Sequence, residues 1–249
     1  MLDFDHLLKH TPVVLMVGGV GARLRPLTDV CPKPLLKIGG VPLLQRTIES
    51  LIRQGFRNFY LSVNYKAEMI EEFFGTGRDW EVNITYLREL EPMGTAGSLK
   101  LIEDALTTPL VVMNGDLFSE HDLPISELLR FHTEQGANAT MTVVPHKVEI
   151  PFGVVEIDGH CLTNIVEKPT HVSYINAGMY VVEPSVLPVL ASSKISDMPN
   201  LFSKLIELDN KVCAYHMQQE WIDIGTFETF ERVNERFERQ AKPLTADIS

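Results

Sequence analysis

The chain has 249 residues, enough for one large domain or two small ones, and its 45% hydrophobic and 22% charged content is that of an ordinary folded protein. Its 22 basic and 33 acidic side chains leave a formal charge of −11. Such a field repels nucleic-acid backbones and anionic membrane surfaces, so neither is an expected partner.

No apolar run approaches the roughly 20 residues of a membrane span. The first turns, with Asp3, Asp5, His6 and His10, lack the basic-then-apolar layout of a signal peptide. Cys31, Cys161 and Cys213 are widely separated and form no C-x-x-C pair, which suggests neither a disulfide framework nor a thiolate metal site. A soluble, cytoplasmic protein is expected.

In chain order, runs rich in branched residues predict strands at Val13–Val17, Asn58–Val63, Asn83–Leu87, Leu110–Met113, Ala139–Val144, Gly153–Ile157 and Ala177–Val182. Helical spacing follows Pro42 through Leu43, Leu44, Ile48, Leu51 and Ile52, and stops at Gly55. Further helices are predicted over Ala67–Phe74, Thr95–Asp104, Ile125–Gln135 and Thr226–Arg239. The first half alternates strand and helix, the pattern of an α/β, Rossmann-like fold with a mainly parallel sheet and helices on both faces. No repeat or Gly/Ser linker interrupts the chain. One domain over residues 13–240 is expected, with an extension or linker at 1–12 and a tail at 241–249.

Charge is unevenly placed. Residues 1–40 carry five basic and three acidic side chains, which is +2, and the remainder then carries −13. Four of those cations, Arg23, Arg25, Lys33 and Lys37, fall in one stretch interleaved with glycines and prolines. An acidic protein with a local cationic loop is prepared for a small polyanion.

That loop opens with Gly18, Gly19 and Gly21 directly after the first strand, where glycines let backbone N–H groups cradle phosphates. It is not a Walker A loop, because no Gly-Lys-Ser/Thr closes it, and not a dinucleotide fingerprint, because Leu24 stands at the third glycine position. From Gly18 to Val41 it runs 24 residues, against about 4 to 6 for an ordinary connection, and Pro26, Pro32 and Pro34 prevent one continuous helix. A rigid triphosphate clamp is the expected role, with Lys33 held between prolines.

Asp116 follows a predicted strand in Asn114-Gly115-Asp116, at the sheet edge where open α/β folds bind ligands. Asp223 lies in Trp221-Ile222-Asp223-Ile224-Gly225-Thr226, an apolar setting before a helix. Alone, each reads as a turn or N-cap aspartate. Beside a phosphate loop, the two are candidate ligands for Mg²⁺, which takes a few carboxylates together with phosphate oxygens.

The glycine loop, together with Cys31-Pro32-Lys33-Pro34-Leu35, resembles the G-G-x-G-[TS]-R-L-x-P-L-T … P-K-P-L signature of sugar-1-phosphate nucleotidylyltransferases. The resemblance implies that Arg23 and Lys33 are catalytic, contacting the nucleotide phosphates, and that Asp116 and Asp223 hold the magnesium. It implies nucleotide binding by Gly18, Gly19, Gly21 and, near the base, Gly94. The Val166-Glu167-Lys168-Pro169 and Asn176-Ala177-Gly178 segments resemble the family's E-K-P and N-A-G motifs. Lys168 is thereby implied to grip the sugar phosphate, with Glu167 and Asn176 facing the sugar. In order and together, these motifs span nearly the whole chain.

Two positions depart from the pattern. Ala22 stands where Thr or Ser is usual, at a cost of roughly 0.5–1.5 kcal/mol for a lost hydrogen bond, and Val17 stands where Ala is usual.

The likeness is greatest to mannose-1-phosphate guanylyltransferase-like domains, which favours GTP and a mannose- or glucosamine-type 1-phosphate as substrates. Thymidylyl and uridylyl relatives share the loop. Two other readings remain: a metal-dependent glycosyltransferase, against which the absence of a D-x-D pair at Asp116 counts, and a non-catalytic nucleotide-sugar sensor, suggested by Ala22. An oligomer is compatible with the sequence.

Overall fold

Strands buried on both faces need apolar residues at every position, and the short runs of the first half meet that demand. The computed structural model describes residues 3–192 and 195–241; Met1, Leu2 and residues 242–249 of the expected C-terminal tail lie outside them.

The strands are Pro12–Met16 (β1), Asn58–Val63 (β2), Asn83–Arg88 (β3), Leu110–Asn114 (β4), Ala139–Glu149 (β5), Val154–Asp158 (β6), Cys161–Val166 (β7), Thr170–Val182 (β8) and Val212–His216 (β9). Seven of them form one sheet in the order β9-β5-β8-β4-β1-β2-β3. β1 is parallel to both β2 and β4, β2 to β3, and β9 to β5, whereas β8 is antiparallel to its neighbours β4 and β5. The sheet is mainly parallel.

Alternation along each strand sends side chains to two cores. Val13 and Leu15 of β1, Val111 and Met113 of β4, and Met179 and Val181 of β8 face one side. There they meet Phe4–His10 (α1), Leu43–Arg53 (α2), Ala67–Phe74 (α3) and Ile125–Gln135 (α4). Val14, Val112, Tyr180 and Val182 face the other, packing on Met198–Glu207 (α5) through Met198, Leu201, Phe202 and Leu205. A third, smaller core joins Phe227–Ala241 (α6), through Val233, to Ile38, Leu43, Phe118 and Ile224. None of the described helices is long and apolar enough to cross a membrane.

Two differences from the sequence reading have physical causes. Residues 4–10, taken as an extension or linker, form a helix whose Leu8 is buried against the first core. The expected helix over Thr95–Asp104 is one α turn, Gly94–Gly97, and a 3₁₀ turn, Ser98–Leu101. Glycines at both ends of the first turn make it a poor helix nucleus, and the Ala96 and Gly97 amides both donate to the Ser196 carbonyl. The long connection after β1 is ordered as three short helical turns, at 22–24, 27–30 and 33–35, and a two-strand ribbon, Lys37–Ile38 with Val41–Pro42.

Candidate active site

The ends of the parallel strands define the site. Met16, Asn64, Glu89 and Asn114 stand at or just beyond the carboxyl ends of β1, β2, β3 and β4, and all four line one cavity of about 290 Å³ with Gly18, Gly19, Gly94 and Thr95. A neighbouring cavity of about 250 Å³ shares Met16, Gly19, Gly115 and Asp116, and adds Gly21, Ala22, Arg23, Lys33 and Gly225.

The glycine loop is strapped from beneath. The Thr28 hydroxyl donates to the Gly21 carbonyl at 3.0 Å, and Tyr65 and Lys66, between β2 and α3, donate to the Thr28 and Asp29 carbonyls at 3.0 and 2.9 Å. Pro32 and Pro34 are buried on either side of Lys33. With its side chain only 13% exposed, Lys33 extends its Nζ to the Asp116 carboxylate at 2.7 Å. Of the four cations in this stretch, Arg23 and Lys33 line the cavity, while Arg25 pairs with Asp29 on the surface and Lys37 is exposed.

Asp116 is positioned by Gly115, where a Cβ would fall 2.6 Å from the Met16 carbonyl oxygen, so only glycine lets β4 pass that close to β1. Opposite it, Asp223 is carried by a short antiparallel pair in which Ile222–Asp223 lies on Leu117–Phe118. The Ile224 amide closes the arrangement on the Asp116 carbonyl at 3.0 Å. The two carboxyl groups are within hydrogen-bonding reach of each other.

Asp223 reaches solvent, yet surrounding protein desolvates it enough to push its carboxyl pKa upward. The Asp116 charge adds to that rise, and Lys33 and Arg23 pull against it. Gly225 keeps the space between Asp223 and Arg23 open, since a Cβ there would sit 3.0 Å from one and 3.1 Å from the other.

Two converging carboxylates that repel one another suit a divalent cation, and an all-oxygen set suits magnesium. Among the described residues no third metal-ligating side chain joins them. A divalent cation held there would need ligand oxygens and water to complete its donor set, as is common for Mg²⁺.

In the cavity of about 290 Å³, Gly94 has φ +80° and would place a Cβ 2.6 Å from the Ser196 carbonyl oxygen. The Thr95 amide donates to Asp197 at 2.9 Å, which fastens the loop to the start of α5. Glu89 is held by the Ser62 hydroxyl and by the Met93 amide at 2.8 Å.

The predicted sugar-side residues stand apart. Lys168, at φ +44°, and Glu167 are exposed at a corner between β7 and β8, and neither lines the two cavities. Asn176 donates to the Tyr180 hydroxyl at 2.7 Å and accepts from the Gly178 amide at 2.9 Å. A third cavity, about 580 Å³, lies at the base of that hairpin between Tyr174, His216 and Trp221, just before Asp223. Asn64, Glu89, Asn114 and Gly225 were not anticipated; the position of the first three at carboxyl ends of parallel strands was the available signal.

A seven-stranded, mainly parallel sheet with a glycine loop, two cations and two aspartates at its carboxyl edge defines a nucleotidyl-transfer fold, and the nucleotidyl transferase family model matches residues 12–240. The chain belongs to that family. It is 38% identical over 228 residues to a mannose-1-phosphate guanyltransferase of Pichia angusta and 36% identical to one of Saccharomyces cerevisiae. Each alignment covers 87% of this chain, which spans 61% and 62% of the length of those relatives. The solved structure of HddC from Yersinia pseudotuberculosis in complex with GMP-PN superposes with TM-score 0.67 at 25% identity, over 91% of this chain and 99% of that one. A Bacillus anthracis protein solved with sucrose has the same fold, with TM-score 0.73 at 24% identity over 91% and 95% of the two chains.

Proposed function

We propose that the chain transfers a guanylyl group from GTP to a mannose- or glucosamine-type 1-phosphate, releasing pyrophosphate and a nucleotide sugar. The observation that carries this reading is the cluster of Arg23, Lys33, Asp116 and Asp223 beneath the glycine loop. The names of the guanyltransferase relatives and the GMP-PN complex support guanine over other bases.

A sugar 1-phosphate has its second pKa near about 6 and is mostly a dianion at neutral pH, so it attacks without a general base. One of its oxygens forms the bond to the α-phosphorus while the bond from that phosphorus to the bridging oxygen breaks, and the electron pair leaves with pyrophosphate. The obstacle is repulsion between anions, which fixed positive charge and in-line placement overcome. In this reading Arg23 and Lys33 hold the triphosphate, the backbone of Gly18, Gly19 and Gly21 orients it, and the cavity beside Gly94 takes the base. Asp116 and Asp223 would hold Mg²⁺, which supplies further positive charge at the reacting phosphate. Lys168 takes the sugar phosphate, Glu167 and Asn176 face the sugar, and the aromatic cavity at Trp221 seats its ring. A cytoplasmic location for the reaction is part of this proposal.

Pyrophosphate release measured over a matrix of nucleoside triphosphates and sugar 1-phosphates tests the assignment. The largest kcat/KM is expected for GTP with a mannose-type phosphate. A preference for dTTP or UTP with glucose 1-phosphate replaces the substrate assignment, and no release with any pair supports a sensor instead.

A further inference from the structure

Asp197 stands at the N-cap of α5, yet its carboxylate does not cap that helix. Its backbone is extended, with φ −98° and ψ 156°, as an N-cap requires, and its side chain makes no hydrogen bond to the amides of its own first turn. The carboxylate is turned instead onto the Gly94–Gly97 turn. Its Oδ1 accepts from the Thr95 amide at 2.9 Å and from the Thr95 hydroxyl at 3.3 Å. Thr95 returns the bond, its Oγ1 accepting from the Met198 amide at 2.9 Å. Two segments far apart in the chain have thus exchanged caps.

Ser196 joins the same two segments. Its amide donates to the Met93 carbonyl at 2.9 Å, and its carbonyl accepts from the Ala96 and Gly97 amides at 2.8 and 2.9 Å. Gly94 lies so close that a Cβ would fall 2.6 Å from the Ser196 carbonyl oxygen and 2.8 Å from Asp197 Oδ1.

The two partners are not equally firm. α5 is rooted in the second core by Met198, Leu201, Phe202 and Leu205. Gly94 and Thr95 line the cavity of about 290 Å³ and have no large apolar side chain to root them, and a turn with glycine at each end does not hold its shape alone. Ala96, buried in the second core, and Glu89, whose carboxylate takes the Met93 amide, fix what lies on either side. The wall between them takes its shape from Ser196 and Asp197.

We infer that Asp197 is a positioning residue for the nucleoside triphosphate: without lining the cavity, it acts through Thr95 and Gly94 to preset the wall against which the base packs. The inference rests on the reading above that the base occupies this cavity. A preset wall spares the nucleotide the cost of ordering it, so the contribution falls on affinity rather than on the chemical step. It falls on the base alone, because the triphosphate is assigned to the glycine loop, Arg23 and Lys33 on another segment.

Calorimetric binding of GTP and of inorganic tripolyphosphate, each with Mg²⁺, to wild type, Asp197→Ala and Asp197→Asn tests this. Asp197 is solvent-exposed, so both variants are expected to keep the wild-type circular dichroism. Asp197→Ala is expected to weaken GTP about tenfold and to leave tripolyphosphate within about twofold of wild type. In turnover it raises the KM for GTP about tenfold and leaves kcat within about twofold. Asp197→Asn keeps a side-chain oxygen to accept from the Thr95 amide and is expected to bind GTP within about twofold of wild type. An Asp197→Ala variant that binds both ligands as wild type does, or loses both alike as a loosened fold would, overturns the inference. So does an Asp197→Asn variant as weak as Asp197→Ala. The wild-type ratio of the two affinities reports separately on the underlying reading: GTP bound no more tightly than tripolyphosphate takes the base out of this cavity and overturns both.

Discussion

Lys33→Met is expected to slow pyrophosphate release about a hundred- to a thousandfold, the usual effect of removing one preorganised charge from a transition-state site. Arg23 and Lys33 balance Asp116 and Asp223, so the cluster is neutral before ligands arrive; without Lys33 it carries −1 and opposes an incoming polyphosphate. The loss is not confined to charge count. Lys33 is held by flanking prolines and by its 2.7 Å contact with Asp116, and methionine leaves that half-buried carboxylate without its partner. Lys33 also pulls the Asp223 pKa down. In its absence Asp223 keeps its proton to higher pH, and the acid limb of the pH–rate profile shifts upward. A full pH profile of kcat for both proteins measures the two effects. Lys33→Arg restores charge but not the compact ammonium geometry, and partial recovery is expected.

Asp223→Asn separates function from stability. Activity is expected to fall by a similar two to three orders of magnitude, because the cation proposed to lie at the reacting phosphate would lose one of its two carboxylates. The metal-free protein is expected to become slightly more stable. Burial and the Asp116 charge raise the Asp223 pKa above its unfolded value, so the folded state binds the proton more tightly. Stability from this group is therefore greatest below the unfolded pKa and declines as pH rises through the folded one. At neutral pH the ionised carboxylate carries that cost, and asparagine removes it. Solvent access keeps the gain small, about a degree or two in melting temperature for a chain of this size. Thermal scans at neutral and acidic pH check the sign: the difference between the variant and wild type shrinks as pH falls through the Asp223 pKa.

Local chemistry made much of this architecture legible in the sequence. β2, α3 and α4 occur at the positions their periodicity predicts, since apolar spacing and a clear stop at Gly75 or Gly136 leave little choice. The glycine loop stood out by its length and prolines, and Asp116 by its place after a strand. Non-local structure was less visible. α5 has apolar spacing at 198, 201, 202 and 205, but its role depends on Ser196 and Asp197 holding a loop a hundred residues earlier. The convergence of Asp116 and Asp223 rests on two-residue strands too short to leave a period. Glu89 gains its place from the local Met93 amide and from Ser62, which only the pairing of β2 with β3 brings beside it. The separation of Lys168 and Glu167 from the cavities reflects the outward path of the hairpin, which motif order along a chain does not contain.

The most direct test of the central claim is a crystal structure of the chain with a non-hydrolysable GTP analogue and Mg²⁺. The account predicts the triphosphate along Gly18–Arg23 with Lys33 beside it, the cation between Asp116 and Asp223, and the base next to Gly94. A polyphosphate bound away from the glycine loop, or a cation that avoids both aspartates, contradicts it.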